Sequence, residues 1–120
     1  MNVFVHDNNG TQIAEMQSEG IVVRSARDAA DITRELLNRG INKLIMHERN
    51  MSPEFWQSSN GLAEVVLQEF TSKSIAVAFV GRLGQQKTES LKALIQENDL
   101  PNQIFLLATV ELAKMQLSTK

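Results

Sequence analysis

LIMHERNMSPEFWQSSNGLAEVVLQEF, residues 44–70, carries the signals from which the fold is read. Leu44-Ile45-Met46 is too short for a helix and apolar in every direction, which fits a central strand covered on both faces. The run turns polar at His47. Ser52-Pro53-Glu54 has the marks of a helix start: a capping oxygen, Pro at the first position and an acid in the first turn. Phe55 and Trp56 give that turn a bulky anchor, with Trp56 expected to be the more exposed of the two. Gln57-Ser58-Ser59-Asn60 then restarts the helix, with Ser59 or Asn60 as the new cap, and Leu62, Val65, Val66 and Phe70 follow the helical period. A buried strand whose polar end meets a helix N-terminus is a common way for an α/β domain to build a site.

Towards the N-terminus, Val3-Phe4-Val5 is a short β run closed by Asp7-Asn8-Asn9-Gly10. Asn and Gly tolerate positive φ, so this tetrad reads as a hairpin turn, and Thr11 to Met16 as the returning strand. Ser25 can cap a helix, with Asp28 completing a capping-box-like pair. Ala29, Ile32, Leu36 and Leu37 form its apolar stripe, and Gly40 ends it as a left-handed cap.

Towards the C-terminus, Ile75 to Val80 is the clearest buried strand, ending in Gly81-Arg82-Leu83-Gly84. Thr88 can cap a helix carrying Leu91, Leu94 and Ile95, which stops before Pro101. Ile104 to Ala108 is a further apolar strand. Thr109 can cap a last helix with Val110, Ala113, Met115 and Leu117 on its inner side. Strands alternating with helices call for an α/β fold: a single domain with a mixed, mostly parallel sheet of about five strands, an N-terminal hairpin and about four helices.

Composition narrows the function classes. The 120 residues are long enough to close one core, and charges are mixed in sign with a net charge of -2. No basic stripe argues for nucleic acid. Cysteine is absent, which excludes disulfides and thiolate metal sites. The start of the chain lacks a basic region followed by a long apolar one, and no apolar run approaches the roughly 20 residues that span a bilayer. A cytoplasmic protein without a membrane association is expected, with no cofactor and no metal.

Several segments together resemble a family of small bacterial proteins known only as a domain of unknown function, of the DUF4180 type. They are Ile13-Ala14-Glu15, Ala26 to Asp31, Leu44 to Asn50, Ser52 to Phe55 with Gly61 to Glu64, Val77 to Gly81, Ser90-Leu91-Lys92 and Gln103-Ile104-Phe105. A more distant resemblance is to the STAS domain of anti-sigma-factor antagonists. There a phosphorylatable serine opens the helix after the third strand in an Asp-Ser-Ser-Gly-type turn. Phe55-Trp56-Gln57-Ser58-Ser59-Asn60-Gly61-Leu62 is similar in place, but Gln57 stands where the Asp would be and Asn60 adds a residue. The resemblance implies a STAS-like fold, a protein partner of the anti-sigma kinase type and control by serine phosphorylation.

Two sets of candidate residues follow. Trp56, Ser58, Ser59, Asn60 and Gly61 would form an interaction face. Ser58 and Ser59 have two readings: phosphate acceptors at a helix start, or plain helix caps. His47, Glu48, Asn50 and Arg82 would line a ligand pocket at the strand ends. His47 and Glu48 resemble a base with its orienting acid, but adjacent strand residues point to opposite faces. Two functions are therefore carried forward. One is a non-catalytic regulatory or interaction module that binds a protein partner through the surface around Gln57 to Leu62 together with the His47 to Asn50 turn. The other is a small-molecule or nucleotide-binding domain, conceivably a weak enzyme, with its ligand near His47. Homodimerisation through the hairpin or an edge strand is compatible with either.

Overall fold

A computed structural model of the chain describes residues 2–57 and 60–118. Strands β1 (Val3–Asn8), β2 (Thr11–Met16), β3 (Lys43–His47), β4 (Ala76–Val80) and β5 (Ile104–Leu107) form one sheet in the order β1-β2-β3-β4-β5. Four helices join or follow them: α1 (Ala26–Asn38), α2 (Leu62–Ser72), α3 (Gln85–Glu97) and α4 (Val110–Ser118). The hairpin turn is set by Asn9 and Gly10, both at positive φ (56° and 86°), which fixes Asn8 opposite Thr11.

The sheet is mixed rather than mostly parallel. β1 pairs antiparallel with β2 over its whole length, while β2 meets β3 in parallel only at Ala14–Leu44 and Glu15–Ile45. The cause is local. A two-residue turn brings β1 back directly along β2, whereas each later strand must be reached by a helical crossover. β3–β4 and β4–β5 are parallel.

Because the strands advance one place at a time, the crossovers α1, α2 and α3 all lie on one face. Ala14, Met16, Leu44, Met46, Val77 and Phe79 point into the larger core there, against Leu36, Val66, Phe70 and Leu91. α4 follows the last strand and covers the other face, where Ala113 and Leu117 meet Ile13, Ile45, Ala78 and Val80. Double coverage explains why β3 is buried at Leu44, Ile45 and Met46 alike.

Several local expectations need correction. Ser52-Pro53 starts a 3₁₀ turn over Pro53–Trp56 and the Ser52 side chain makes no capping bond. α3 begins at Gln85, three residues before Thr88, whose N–H instead donates to the Gly84 carbonyl. Leu37, Val65 and Met115 are exposed, because each helix contacts the sheet through a narrower stripe than its composition suggests. Ser25 does accept from Asp28 N–H at 3.2 Å, and Thr109 accepts from Leu112 N–H at 3.2 Å.

Asn50 ties the upper edge of this fold together. It is fully buried at the end of a 3₁₀ turn over Glu48–Asn50. Its Oδ1 accepts from His47 N–H at 3.0 Å, and its Nδ2 donates to the carbonyls of Ser18 and Gly20 at 2.9 and 3.0 Å. Its own carbonyl accepts from Val22 and Val23 N–H, and Val23 bridges in parallel to Met51. One amide thus holds the β2–α1 connection against the end of β3. Asn50→Ala takes this one partner from the His47 N–H and from the Ser18 and Gly20 carbonyls, which are only partly buried. A fully buried group so left costs roughly 1–3 kcal/mol. Urea denaturation is expected to show a destabilisation on the order of 3 kcal/mol, and a change under about 0.5 kcal/mol would contradict this role.

Candidate functional site

A cavity of about 890 Å³ opens above the C-terminal ends of β3 and β4. In open α/β sheets this is where ligands collect, since the strands end there and the connections diverge. Its floor comes from the two 3₁₀ turns, through Glu48, Arg49, Met51, Pro53 and Trp56, with Gln57 at the end. Gln86, Lys87 and Ser90, in the first two turns of α3, form the facing wall, and Ile21 comes from the connection that Asn50 holds.

Trp56 is 6 % exposed, which corrects the expectation of an open interface anchor. Its ring packs edge-on against Phe55 at 4.9 Å and lies 6.1 Å from Phe79. In a 3₁₀ turn successive side chains differ by about 120°, and the two rings close together over Phe79 rather than diverge. Lys87 covers the indole, its Nζ 5.6 Å from the ring centroid, and the same Nζ donates to Glu48 Oε2. Glu48 is held close to the sheet by Gly81, whose φ is 149°. A Cβ there would stand 3.1 Å from the Glu48 Cβ, so the backbone conformation and the close approach both select glycine.

His47 and Glu48 part where β3 gives way to the 3₁₀ turn. Glu48 enters the cavity, whereas His47 joins a cluster on the α4 face. There Glu15 accepts from His6 Nε2 at 2.8 Å through Oε1 and from His47 Nε2 at 2.7 Å through Oε2. All three side chains are between 13 % and 18 % exposed. Burial pushes the Glu15 carboxyl up, but the hydrogen bonds and positive charge of His6 and His47 outweigh it and hold the group below the usual carboxylate range. An ionised carboxylate only accepts, so both imidazoles present Nε2–H to it. Phe4 packs edge-on against His6 at 4.7 Å and is otherwise exposed. Among the described residues, no group of three or more His, Cys, Asp or Glu side chains is placed to hold a metal ion.

The remaining candidates are dispersed. Asn50 is buried and committed to backbone partners. Arg82 is exposed on the loop after β4 and does not line the cavity. Asn60 is exposed, with Oδ1 accepting from Leu62 N–H at 2.9 Å and Nδ2 donating to the Glu54 carbonyl at 3.0 Å, so it braces the start of α2. Gly61 is exposed at φ 77°. Ser58 and Ser59 lie outside the described residues.

Lys87, Gln86, Ser90, His6 and Glu15 were not picked out from the sequence. For Lys87 a signal existed: α3 opens with Gln85-Gln86-Lys87 and has no acid in its first turn, contrary to the usual dipole preference. For Glu15 the signal was the turn. Once Asn9-Gly10 sets Asn8 opposite Thr11, Phe4 faces Glu15 and His6 becomes its diagonal neighbour on the same face.

The profile of the family described as "Domain of unknown function (DUF4180)" matches residues 8–117, and the chain belongs to that family. No curated protein and no solved structure matches the chain. No helix among the described residues is long and apolar enough to cross a membrane.

The Glu15 cluster has a measurable consequence. A carboxyl whose value falls on folding adds stability above its unfolded value, near 4.5, and that stability is lost as pH drops through the lower folded value. Thermal midpoints of the wild type are expected to fall below pH 4.5, and Glu15→Gln is expected to lower the neutral-pH midpoint while flattening that acid limb. An unchanged acid limb in the variant would show that the cluster does not govern it.

Proposed function

We propose that the protein is a non-catalytic binding module that takes a small molecule in the cavity above β3 and β4. The observation that carries this reading is the cavity itself. At about 890 Å³ it has the size of a small-molecule site. It combines an apolar side (Ile21, Met51, Pro53 and Trp56) with convergent polar groups from Glu48, Lys87, Gln57, Gln86 and Ser90. Both histidines lie outside it, His47 turned towards Glu15 and His6, so the reading is one of recognition rather than of acid–base chemistry.

A second reading, a regulatory module that docks a protein partner, draws support from the rim. Gln57 lines the cavity, and Asn60 and Gly61 are exposed beyond it, in the region that resembles the regulatory turn of a STAS domain. We infer a STAS-like architecture on the same grounds: an opening hairpin and a helix after the third strand. Under this reading the partner is of the anti-sigma kinase type and serine phosphorylation controls its docking.

Native and denaturing mass spectrometry on protein purified gently from its own host separates the two. The ligand reading expects an added small-molecule mass under native conditions that is released on denaturation. A stoichiometric protein partner, or a phosphate-sized addition that survives denaturation and maps to Ser58 or Ser59, would favour the regulatory reading. Bare protein under both conditions counts against both.

A further inference from the structure

We infer that β1 pairs antiparallel with β1 of a second copy about a two-fold axis at Val5, setting each Phe4 beside the other copy's His6. The inference is independent of the ligand-binding reading. β1 contributes no residue to the cavity and is separated from β3 by β2.

The edge that β1 presents is unprotected. It is a border strand of six residues in unbroken register with β2, so no bulge bends it away. It holds no Pro, Lys or Arg. Its one carboxylate is drawn back into the turn, where Asp7 Oδ1 accepts from Gly10 N–H at 3.1 Å. β5, the other border strand, has only four residues, and a short edge is itself a protection.

Backbone parity chooses the register. The Asn2 carbonyl accepts from Gln17 N–H at 2.8 Å, and bonded pairs recur at every second residue of an antiparallel ladder. The next ones are Phe4–Glu15, His6–Ile13 and Asn8–Thr11. Val3, Val5 and Asp7 therefore turn their N–H and C=O groups outward, and an antiparallel neighbour bonds only residues of that set. Centring on Val5 pairs it with the second copy's Val5, and each Val3 with the other copy's Asp7. Every outward group then meets its complement, and no two like charges stand opposite each other.

Side chains favour a second copy over an unrelated strand. The same register sets Phe4 opposite the other copy's His6 in the closer kind of antiparallel pair, with Cα atoms about 4.5 Å apart. Phe4 is 54 % exposed and already meets its own His6 edge-on at 4.7 Å. The second copy thus supplies, on the open side of Phe4, the same ring that covers its inner side.

Sedimentation equilibrium on the full chain is expected to give twice the chain mass of 13.4 kDa. Phe4→Lys is expected to restore the single-chain mass, because it sets a cation on each side of the axis. Val5→Pro is expected to do the same, and the N–H it removes faces outward, so the β1–β2 ladder stays whole. Amide hydrogen exchange locates the contact. The Val5 N–H is expected to be protected in the wild type and to lose that protection in Phe4→Lys, while the His6 N–H, bonded within the hairpin, stays protected in both. Far-ultraviolet circular dichroism checks the fold of each variant.

A single-chain mass at every concentration up to about 1 mM overturns the inference. So does a dimer that survives either substitution in a folded variant, or one in which the Val5 amide exchanges freely.

Discussion

The buried side chain of Asn50 is the constraint on which the upper half of the molecule depends. β3 ends at His47, and three residues later one amide must satisfy a strand N–H and two carbonyls from a different connection. Leaving a buried polar side chain unbonded is costly, and a fully bonded one favours a unique arrangement. With it in place, Ile21 forms a cavity wall and Met51 lies beside Val23, so the shape of the cavity is inherited from this amide without the amide touching its interior.

The second organising feature is the divergence at the end of β3. The last residue of β3 and the first of the 3₁₀ turn serve two unrelated places: Glu48 faces Lys87 and Trp56, while His47 faces Glu15 and His6. The first place is a cavity between elements that follow β3 and β4. The second is a bonded cluster that fastens the hairpin to β3, where the backbone ladder spans only two residue pairs. Side chains supply there what the short ladder does not.

Much of the fold was legible because local chemistry decides it. Asn9-Gly10 specifies a hairpin, Ser25 with Asp28 opens α1, Gly40 closes it, and the apolar runs of β3, β4 and β5 have no other reading at that length. What escaped was settled at long range. The burial of Trp56 depends on Phe79 from β4 and on Lys87 from α3. The start of α3 carries no capping side chain and so left no mark in the sequence. Of the expected pocket residues His47, Glu48, Asn50 and Arg82, only Glu48 lines the cavity, because strand parity, burial and loop path send the others elsewhere.

The consecutive strand order also bears on how the chain assembles. Every ladder joins strands adjacent in sequence, so no strand has to insert between two that are already paired, and loop-closure costs stay small. Growth from the N-terminus adds one strand and its crossover at a time to an existing edge. The exception is α4, whose residues are the last of these elements to be synthesised and which lies back across β2 to β5. Until it docks, Ile13, Ile45, Ala78 and Val80 form an uncovered apolar strip. A nascent or truncated chain stopping short of Val110 would therefore be complete in its sheet yet prone to stick to other chains, which makes the final helix the step that closes the last apolar face.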